Sequence, residues 1–516
     1  MAEPTTRARQ PKRPAHLPHG RWLGDLEPLS AFERKLVAAC ARGEVCEPDG
    51  WDGKRPEEDA ATEANTVRAE LIRFLALGGD DEHPVHEQGV MLGGGWIKGK
   101  LSLHQATAMV RLYLAYCHFD RNPDFVAASL PELTLSGSQI PGIWADRLVV
   151  KGGVWLNNGF ETSGEVRLLA AQIGGNLSCV SGKFFNRLIA DGMIVRGNVF
   201  LSDGFEASGA VSLLGAQIAG DLVCRNGVFS SSHGIALNAD GMDVKGGVFL
   251  LDASIEGGIN LTAARIVTLV DDATCWQSGG HILDGFVYDR IIGPSNAEMR
   301  VDWLMGQRED HLTSDFRYQP WDQLIKMLRE VGAPYEASRV AIAKQNQLRV
   351  AKTFKQPVYN ALHWLFGRLT GYGYDWARLL GAMIWLWLGC AFFFSVGGDY
   401  GYVGPSTPLL NNPELAPSID DSCGHAFETG KQVWTKCANM PAEYTTFQPL
   451  LYSLDLILPL VDLQQESDWA PSVEEAPGVS MAYGVFLRWL MWFEILFGWM
   501  ASLMLVAILG QLVDKD

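Results

Sequence analysis

Residues 191–201 read Asp191-Gly-Met-Ile-Val-Arg-Gly-Asn-Val-Phe-Leu201, and the same pattern occurs at 146–156 and 240–250. A second pattern lies between the copies, as Ala171-Gln-Ile-Gly-Gly-Asn-Leu-Ser-Cys179 and again as Ala216-Gln-Ile-Ala-Gly-Asp-Leu-Val-Cys224. Since side chains alternate across a strand, each x-Val-x-Leu pair predicts a short strand with one buried face. Glycines between the pairs permit tight corners. The stretch therefore predicts a repeat protein built from short strands.

Apolar pairs of this kind recur every 11 to 13 residues between about Leu101 and Leu261, except that the pair expected near Leu188 is poorly formed. Such short steps leave too few residues for a helix between strands, which makes a leucine-rich repeat the weaker alternative. We expect two strands per coil of about 22–23 residues, stacked so that each coil is buried by its neighbours. The predicted fold class is mainly β: a parallel β-helix solenoid with helical caps, followed by an all-α transmembrane domain with two spans.

The composition excludes several other classes of protein. The 516 residues carry 42 Lys and Arg against 59 Asp and Glu, and the net charge of −17 argues against a nucleic-acid-binding protein. Nine cysteines without dense spacing exclude a small disulfide-stabilised scaffold. A hydrophobic content of 47% excludes disorder over most of the chain.

Helix signals on both sides of the repeat complete the domain organisation. Ser30 and Glu33 form a capping box, and Pro320 and Pro334 open two predicted helices of a hairpin. We divide the chain into a disordered basic tail with a short helical cap (1–90), the β-helix repeat domain (91–290), a helical hairpin with an interfacial linker helix (291–370) and a transmembrane domain (371–516).

Two apolar runs, 379–398 and about 490–513, are each long enough to cross about 30 Å of hydrocarbon. Residues 339–378 carry seven Lys and Arg against one acid, whereas 399–480 carries two Lys against twelve Asp and Glu. Because basic residues accumulate on the cytoplasmic side, we expect a cell (inner) membrane protein whose β-helix and both termini are cytoplasmic. The loop 399–480 is then extracytoplasmic.

This outer loop contains a short apolar segment, 450–463, which is too short to span. It either packs at the membrane interface or re-enters the membrane and lines a pathway. The loop also contains Cys423 and Cys437, which are a candidate disulfide in an oxidising compartment. The candidate intramembrane or pore residues are Asp455, Asp462, Arg488 and Glu494.

The repeat also places like residues above one another on the outside of the solenoid. The basic and aromatic residues among them are our candidate binding face for an anionic ligand or a partner. The alternative is that aspartates neutralise the basic residues while the rings pack under the N-terminal helices. The three sets are Asp146, Asp191 and Asp240; Lys151, Arg196 and Lys245; and Trp155, Phe200 and Phe249.

The sequence offers little catalytic chemistry. Gly94-Gly-Trp-Ile-Lys-Gly-Lys-Leu101 is one residue away from a P-loop, but Leu101 replaces the Ser or Thr that would hold magnesium. Cys179 and Cys224 occupy equivalent positions and are expected to be small buried hydrophobes rather than a redox pair. We predict no cofactor and no metal site, and we find no catalytic motif.

Several motifs carry a resemblance to a known family. They are the repeated [DN]-G-M-x-V-[KR]-G-x-V-F-L coils, Leu283-Asp-Gly-Phe-Val-Tyr288, Gln319-Pro-Trp-Asp-Gln-Leu324, Gln448-Pro-Leu-Leu-Tyr-Ser-Leu-Asp455 and Trp492-Phe-Glu-Ile-Leu-Phe-Gly-Trp499. Over most of residues 90–513 the chain resembles bacterial multi-pass membrane proteins with a pentapeptide-like or β-helix cytoplasmic domain. Members are often labelled membrane-associated oxidoreductases, so the resemblance implies that activity. The order of span, short apolar segment and span also resembles two-span channel subunits, although the filter motif is missing.

These features lead to three functional hypotheses. The first is a membrane-anchored β-helix that acts as a cytoplasmic binding or sensing platform coupled to the two spans. The alternatives are a homo-oligomeric, channel-like pore in which 450–463 is re-entrant, and an oxidoreductase by family label only. The partners expected are the lipid bilayer, further copies of the chain, and an anionic ligand or protein on the β-helix face, with no nucleic acid.

Overall fold

The computed structural model describes residues 18–293, 296–351, 356–406, 432–438, 440–473 and 482–513. Most of the predicted basic tail, Cys423 and much of the outer loop therefore lie outside the described residues. The chain divides into two units, Met1–Ala341 and Ile342–Asp516.

The first unit is a parallel β-solenoid of about nine turns. One full turn carries four strands of two residues each: Val149–Val150, Val154–Trp155, Glu161–Thr162 and Val166–Arg167. The prediction of two strands per coil is therefore wrong. The x-Val-x-Leu pairs mark only the second and fourth sides of the turn. The first and third sides also bury two alternating residues each, such as Leu148 with Val150 and Phe160 with Thr162. Their inward positions include small or polar residues such as Ala171 and Thr162, so the sequence shows no regular apolar pair there.

The strands of each side pair in register from turn to turn. The first side contains Ser129–Leu130, Val149–Val150, Gln172–Ile173, Ile194–Val195 and Gln217–Ile218; the second contains Val90–Gly93, Leu112–Ala115, Leu133–Thr134, Val154–Trp155, Leu177–Ser178, Val199–Phe200 and Leu222–Val223. The third contains Thr66–Arg68, Trp96–Lys98, His118–Phe119, Gln139–Ile140, Glu161–Thr162, Lys183–Phe184 and Glu206–Ala207; the fourth contains Ile143–Trp144, Val166–Arg167, Leu188–Ile189 and Val211–Ser212.

In the last turns, neighbouring sides merge into longer strands. These are Val228–Asn238, Asp243–Phe249, Ser254–Asn260, Arg265–Val270 and Val287–Ile292. At the other end, the strand Thr66–Arg68 pairs in parallel with Trp96–Lys98. The solenoid therefore begins before residue 91, inside the part of the chain that the sequence assigns to the cap.

The interior is a continuous apolar column. Phe160, Phe184, Phe205 and Phe229 are fully buried, and successive rings lie 5.2–5.4 Å apart between centroids. Burying each ring contributes about 1.5–3 kcal/mol relative to leaving it exposed. Because these rings touch only across turns, each turn is stabilised by the next.

Polar side chains connect one corner of each turn to the next. The side-chain oxygen of Asn176 accepts the backbone N–H of Asn198, that of Asn198 accepts the N–H of Asp221, and that of Asp221 accepts the N–H of Gly247, at 2.7–2.8 Å. Two residues before Asn176, a Cβ on Gly174 would lie 2.1 Å from the carbonyl oxygen of Lys151. This corner therefore requires glycine at 174.

Two helices precede or interrupt the first turns: α1, Ala31–Arg42, and α2, Ala69–Ala76. The predicted capping box of Ser30 and Glu33 is present at the start of α1. Burial alone would raise the pKa of Glu33, but hydrogen bonds from Arg68 and from the backbone hold it below its usual range. Both helices contact the strands Thr66–Arg68 and Val90–Gly93.

Four helices follow the last strands: α3, Ala297–Met305; α4, Glu309–Leu312; α5, Gln319–Glu330; and α6, Pro334–Val350. Arg300 of α3 forms two hydrogen bonds of 2.7 and 2.8 Å with Asp271, and both side chains are buried. Trp276 also donates to this carboxylate. Since a buried charge is costly without a partner, this pair holds α3 against the end of the strand Arg265–Val270.

The second unit is helical. Its helices are α7, Pro357–Thr370; α8, Trp376–Asp399; α9, Pro449–Ile457; α10, Gln465–Asp468; and α11, Ala482–Val513. The strands Val403–Pro405 and Trp469–Pro471 pair antiparallel. By length and composition, α8 and residues Tyr483–Ile508 of α11 could each cross a membrane. Short 3-10 helices cover Leu23–Leu26, Thr274–Trp276, Gly371–Gly373 and Trp434–Lys436.

Candidate functional site

The basic residues of the candidate face follow the first side of the solenoid, and we call Lys151, Arg196 and Lys245 the basic column. The register runs from Val150 through Ile173, Val195 and Ile218 to Val244. The basic residues therefore occupy every second turn, and Gly174 and Ala219 occupy the equivalent positions in the turns between them. Since adjacent strands lie about 4.8 Å apart, neighbouring basic residues are about 9.6 Å apart.

The aromatic residues lie on the second side, and we call Trp155, Phe200 and Phe249 the ring column. It alternates in the same way, with Ser178 and Val223 in the turns between. The rings are half-buried, and Ser178 is only 4% exposed although it points outward. The rings therefore lie over the sheet and cover Ser178, whereas Val223 stays half-buried.

Two glycines make room for this ring arrangement. A Cβ on Gly153 would lie 3.1 Å from the indole nitrogen of Trp155, and one on Gly247 would lie 2.9 Å from the ring of Phe249. The indole N–H of Trp155 also donates to Glu132 at 3.0 Å. The Gly-Gly-Val-aromatic pattern at 152–155 and 246–249 is thus explained by rings that fold back over their own backbone, while the middle copy has Asn198 in place of the second glycine.

The charges on this face are only partly paired. Lys151 and Arg196 are exposed and form no ion pair with any described residue, whereas Lys245 lies 2.7 Å from Asp243. The aspartate column has other partners, because Asp146 pairs with Arg167 at 2.7 Å and Asp191 accepts from Ser212. Lys151 and Arg196 therefore remain available to an external anion.

The cysteines of the interior are poorly suited to redox chemistry. Cys179 and Cys224 are fully buried and free. They are two turns apart, about 9.6 Å, which exceeds the separation that a disulfide permits. Burial raises the pKa of both thiols well above its usual value. Among the described residues, no group of three His, Cys, Asp or Glu side chains could hold a metal ion.

In the second unit, Glu494 of α11 is fully buried. Ser453 of α9 donates to its Oε1, and the same hydroxyl lies 3.0 Å from the carbonyl oxygen of Trp387 in α8. Oε2 has no hydrogen-bond partner among the described residues. The Ser453 hydroxyl therefore joins the three apolar helices. Sequence reasoning missed Ser453, and a lone serine in an apolar run is the signal that could have identified it.

The other three predicted intramembrane residues have different surroundings. The buried carboxylate of Asp455 accepts the backbone N–H groups of Leu463, Gln465 and Glu466 at 2.6–2.9 Å, so it fixes the loop after α9. Asp462 is exposed. Arg488 donates to the carbonyl oxygen of Pro471 at 2.7 Å.

One carboxyl group in the same loop, that of Glu466, has a pKa that differs from its usual value. Burial, together with the charges of Asp455 and Asp462, raises the pKa of Glu466.

Residues 449–465 form a hairpin between α8 and α11, which we call the inserted hairpin. Ile457 lies in one buried cluster with Met383 and Ala501. Met383 is about 24 Å along α8 from Asp399, at 1.5 Å per residue. The chain then returns, since the N–H of Gln448 donates to the side chain of Gln465 at 3.1 Å. The hairpin thus enters and leaves at the same end of α8.

The structure describes only one of the two cysteines of the candidate disulfide. Cys437 is disulfide-bonded, and Cys423 lies outside the described residues. The seven other cysteines are free and buried.

Comparisons of the chain with protein-family models, with curated proteins and with solved structures find no match. The chemistry of these sites therefore has to be inferred from the residues themselves.

We predict that Glu494→Ala lowers the apparent melting temperature of the full chain in detergent by several degrees. The substitution removes the partner of Ser453 and leaves a space between three helices, and 1 kcal/mol shifts the melting temperature of a domain this size by about 2–4 °C. Glu494→Gln should remain close to the parent, because its amide can still hydrogen-bond to Ser453. Tryptophan fluorescence during heating provides the measurement.

The exposed Asp462→Asn is the matched control for a lost carboxylate. Equal melting temperatures for the parent and Glu494→Ala would contradict the role given to Glu494.

Proposed function

We propose that this chain is a membrane-anchored protein whose β-solenoid is a cytoplasmic binding platform for an anionic ligand or partner. The observation that supports this proposal most directly is that the basic column lies beside the ring column. Lys151 and Arg196 are exposed and unpaired in the described part of the chain. Exposed cations attract an anion, while neighbouring rings supply apolar contact area.

The surfaces of α8 and α11 support the anchoring role. Large apolar side chains on these helices are exposed, among them Trp385 (78%), Phe392 (64%), Leu503 (66%) and Val506 (68%). Contiguous apolar surface of this kind is unfavourable in water and favourable in lipid. With the basic residues before α8 and the acidic loop after it, the positive-inside rule favours an inner membrane location with a cytoplasmic solenoid.

The remaining helices have roles in the same proposal. Solenoids need their open ends covered, and the helices α1, α2, α3 and α5, which contact the terminal strands, would serve as caps. Helix α7 exposes Val358, Leu362 and Trp364, as an interfacial linker helix would. Binding on the solenoid would then be relayed through α6 and α7 to the two spans.

The platform predicts that the full chain in detergent binds fluorescently labelled poly-L-glutamate, and that raising the salt concentration weakens this binding. Lys151→Gln, Arg196→Gln and Lys245→Gln together should weaken it about tenfold, since three exposed ion pairs are lost at once. Fluorescence anisotropy provides the measurement.

The matched control removes three basic residues from the third and fourth sides: Lys98→Gln, Lys183→Gln and Arg187→Gln. Equal losses in the two triple variants would show that net charge, not this face, binds the anion.

A second candidate function is a homo-oligomeric, channel-like pore, which the inserted hairpin favours. After α9 its backbone is irregular, and Leu460 and Val461 are 87% and 47% exposed. Irregular backbone at membrane depth is tolerated only where protein covers it or where it lines water. Copies of the chain arranged around these loops would meet that requirement. The third hypothesis, an oxidoreductase, rests on the family resemblance alone.

If the chain forms this pore, copies that carry Leu460→Cys should cross-link to one another. The purified protein should also conduct ions in planar bilayers. The free cysteines of the described residues are buried, so the introduced thiol is the reactive one. Trp385→Cys on α8 is the control that faces lipid and should not cross-link. A purified oligomer that cross-links at Leu460→Cys but conducts no ions would contradict the pore and leave an oligomeric anchor.

A further inference from the structure

The chemical repeat of the binding face is twice its structural repeat. The strands repeat once per turn, but basic residues and rings recur only every second turn. Val149 and Ile194 follow the same period, and Asp243 takes their place in the third copy. Gly174 and Ala219 separate the basic residues, while Ser178 and Val223 separate the rings. The basic column is therefore a series of ridges separated by notches at the exposed residues Gly174 and Ala219, with a period of about 9.6 Å along the solenoid axis. The neighbouring rings recur with the same period.

A protein segment in the polyproline II conformation has nearly the same period. This helix has three residues per turn and rises 3.1 Å per residue, so it repeats every 9.3 Å or so. Every third side chain then points to the same side. Over the three ridges of this face the two periods drift apart by less than about 1 Å. An α-helix, at 5.4 Å per turn, does not match.

The chemistry of the ridges and notches fits such a segment. The half-buried rings give an aromatic surface beside the basic column, and proline-rich segments dock on aromatic surfaces. The basic column lies at the neighbouring corner, where it can meet one side chain per polyproline II turn. Two acids near this face are already engaged, since Glu132 accepts from Trp155 and Asp221 accepts from Gly247. A third acid, Asp243, pairs with Lys245 at 2.7 Å. An acidic residue at every third position would meet Lys151 and Arg196 directly and would compete with Asp243 for Lys245.

We propose that the face binds a proline-rich segment of a partner protein, in the polyproline II conformation, with an acidic residue at every third position. This inference rests on the proposed binding platform and names its ligand class. Because a polyproline II segment has little conformational freedom to lose on binding, three modest contacts per partner can suffice for recognition.

The test compares two peptides of equal composition and charge. One repeats Pro-Pro-Glu four times, and the other has eight prolines followed by four glutamates. The full chain in detergent should bind the periodic peptide about tenfold more tightly by fluorescence anisotropy. Arg196→Glu at the centre of the column should remove this difference, whereas Arg187→Glu on the fourth side should leave it unchanged.

A second variant separates spacing from charge. Ala219→Lys fills the notch between Arg196 and Lys245 with an additional cation. If binding depended on net charge alone, both peptides would bind more tightly and their ratio would be unchanged. The proposal expects the ratio to fall, because the two-turn period is lost on that half of the face.

Several results would overturn the proposal. Equal affinity for the two peptides, with poly-L-glutamate binding still dependent on the basic column, would reject the periodic ligand and keep the platform. Tighter binding of polygalacturonate than of the periodic peptide would make an acidic polysaccharide the ligand. Absence of binding to every polyanion would reject the platform together with its ligand.

Discussion

Hydrogen bonding between successive turns forces each residue of the solenoid to lie about 4.8 Å from its equivalent in the next turn. Val150, Ile173 and Val195 follow this register without a shift. The same constraint places the four phenylalanines in one internal column and Asn176, Asn198 and Asp221 along one corner. It also converts a sequence repeat of two turns into ridges and notches on the surface. Packing, corner chemistry and the candidate binding face therefore share one cause.

Part of this architecture could be read from the sequence because strand residues alternate between the inside and the outside. Val154 and Leu156 both point inward on the second side, so their spacing shows a strand. The first and third sides also direct two residues inward, but small or polar residues such as Ala171 and Thr162 occupy some of these positions, so the apolar period is hard to see. The hydrogen bonds of Asn176, Asn198 and Asp221 along one corner were not predicted either, because polar residues at corners look like ordinary turn residues.

The candidate sites, too, could be predicted only in part from the sequence. The basic and ring columns could be predicted, since they are consequences of the repeat. The sequence analysis did not identify which residues of the intervening turns, namely Gly174, Ser178, Ala219 and Val223, occupy the same columns. In the helical unit, hydropathy and length identified α8 and α11. The contact between Ser453 and Glu494 could not be predicted, since it joins residues that are distant in sequence through tertiary packing alone. The loop held by Asp455 depends likewise on three backbone donors that no sequence pattern shows.

The most direct test of the account is a distance between Lys151→Cys and Lys245→Cys, measured by pulsed electron paramagnetic resonance with nitroxide labels on the full chain. These positions are four turns apart along one column, so the distances between the two labels should form a narrow distribution centred at about 20 Å. The internal cysteines should not react, because burial raises the pKa of thiols such as Cys179. A broad distribution, or a narrow one at a much longer distance, would contradict the stacked turns on which the binding face depends.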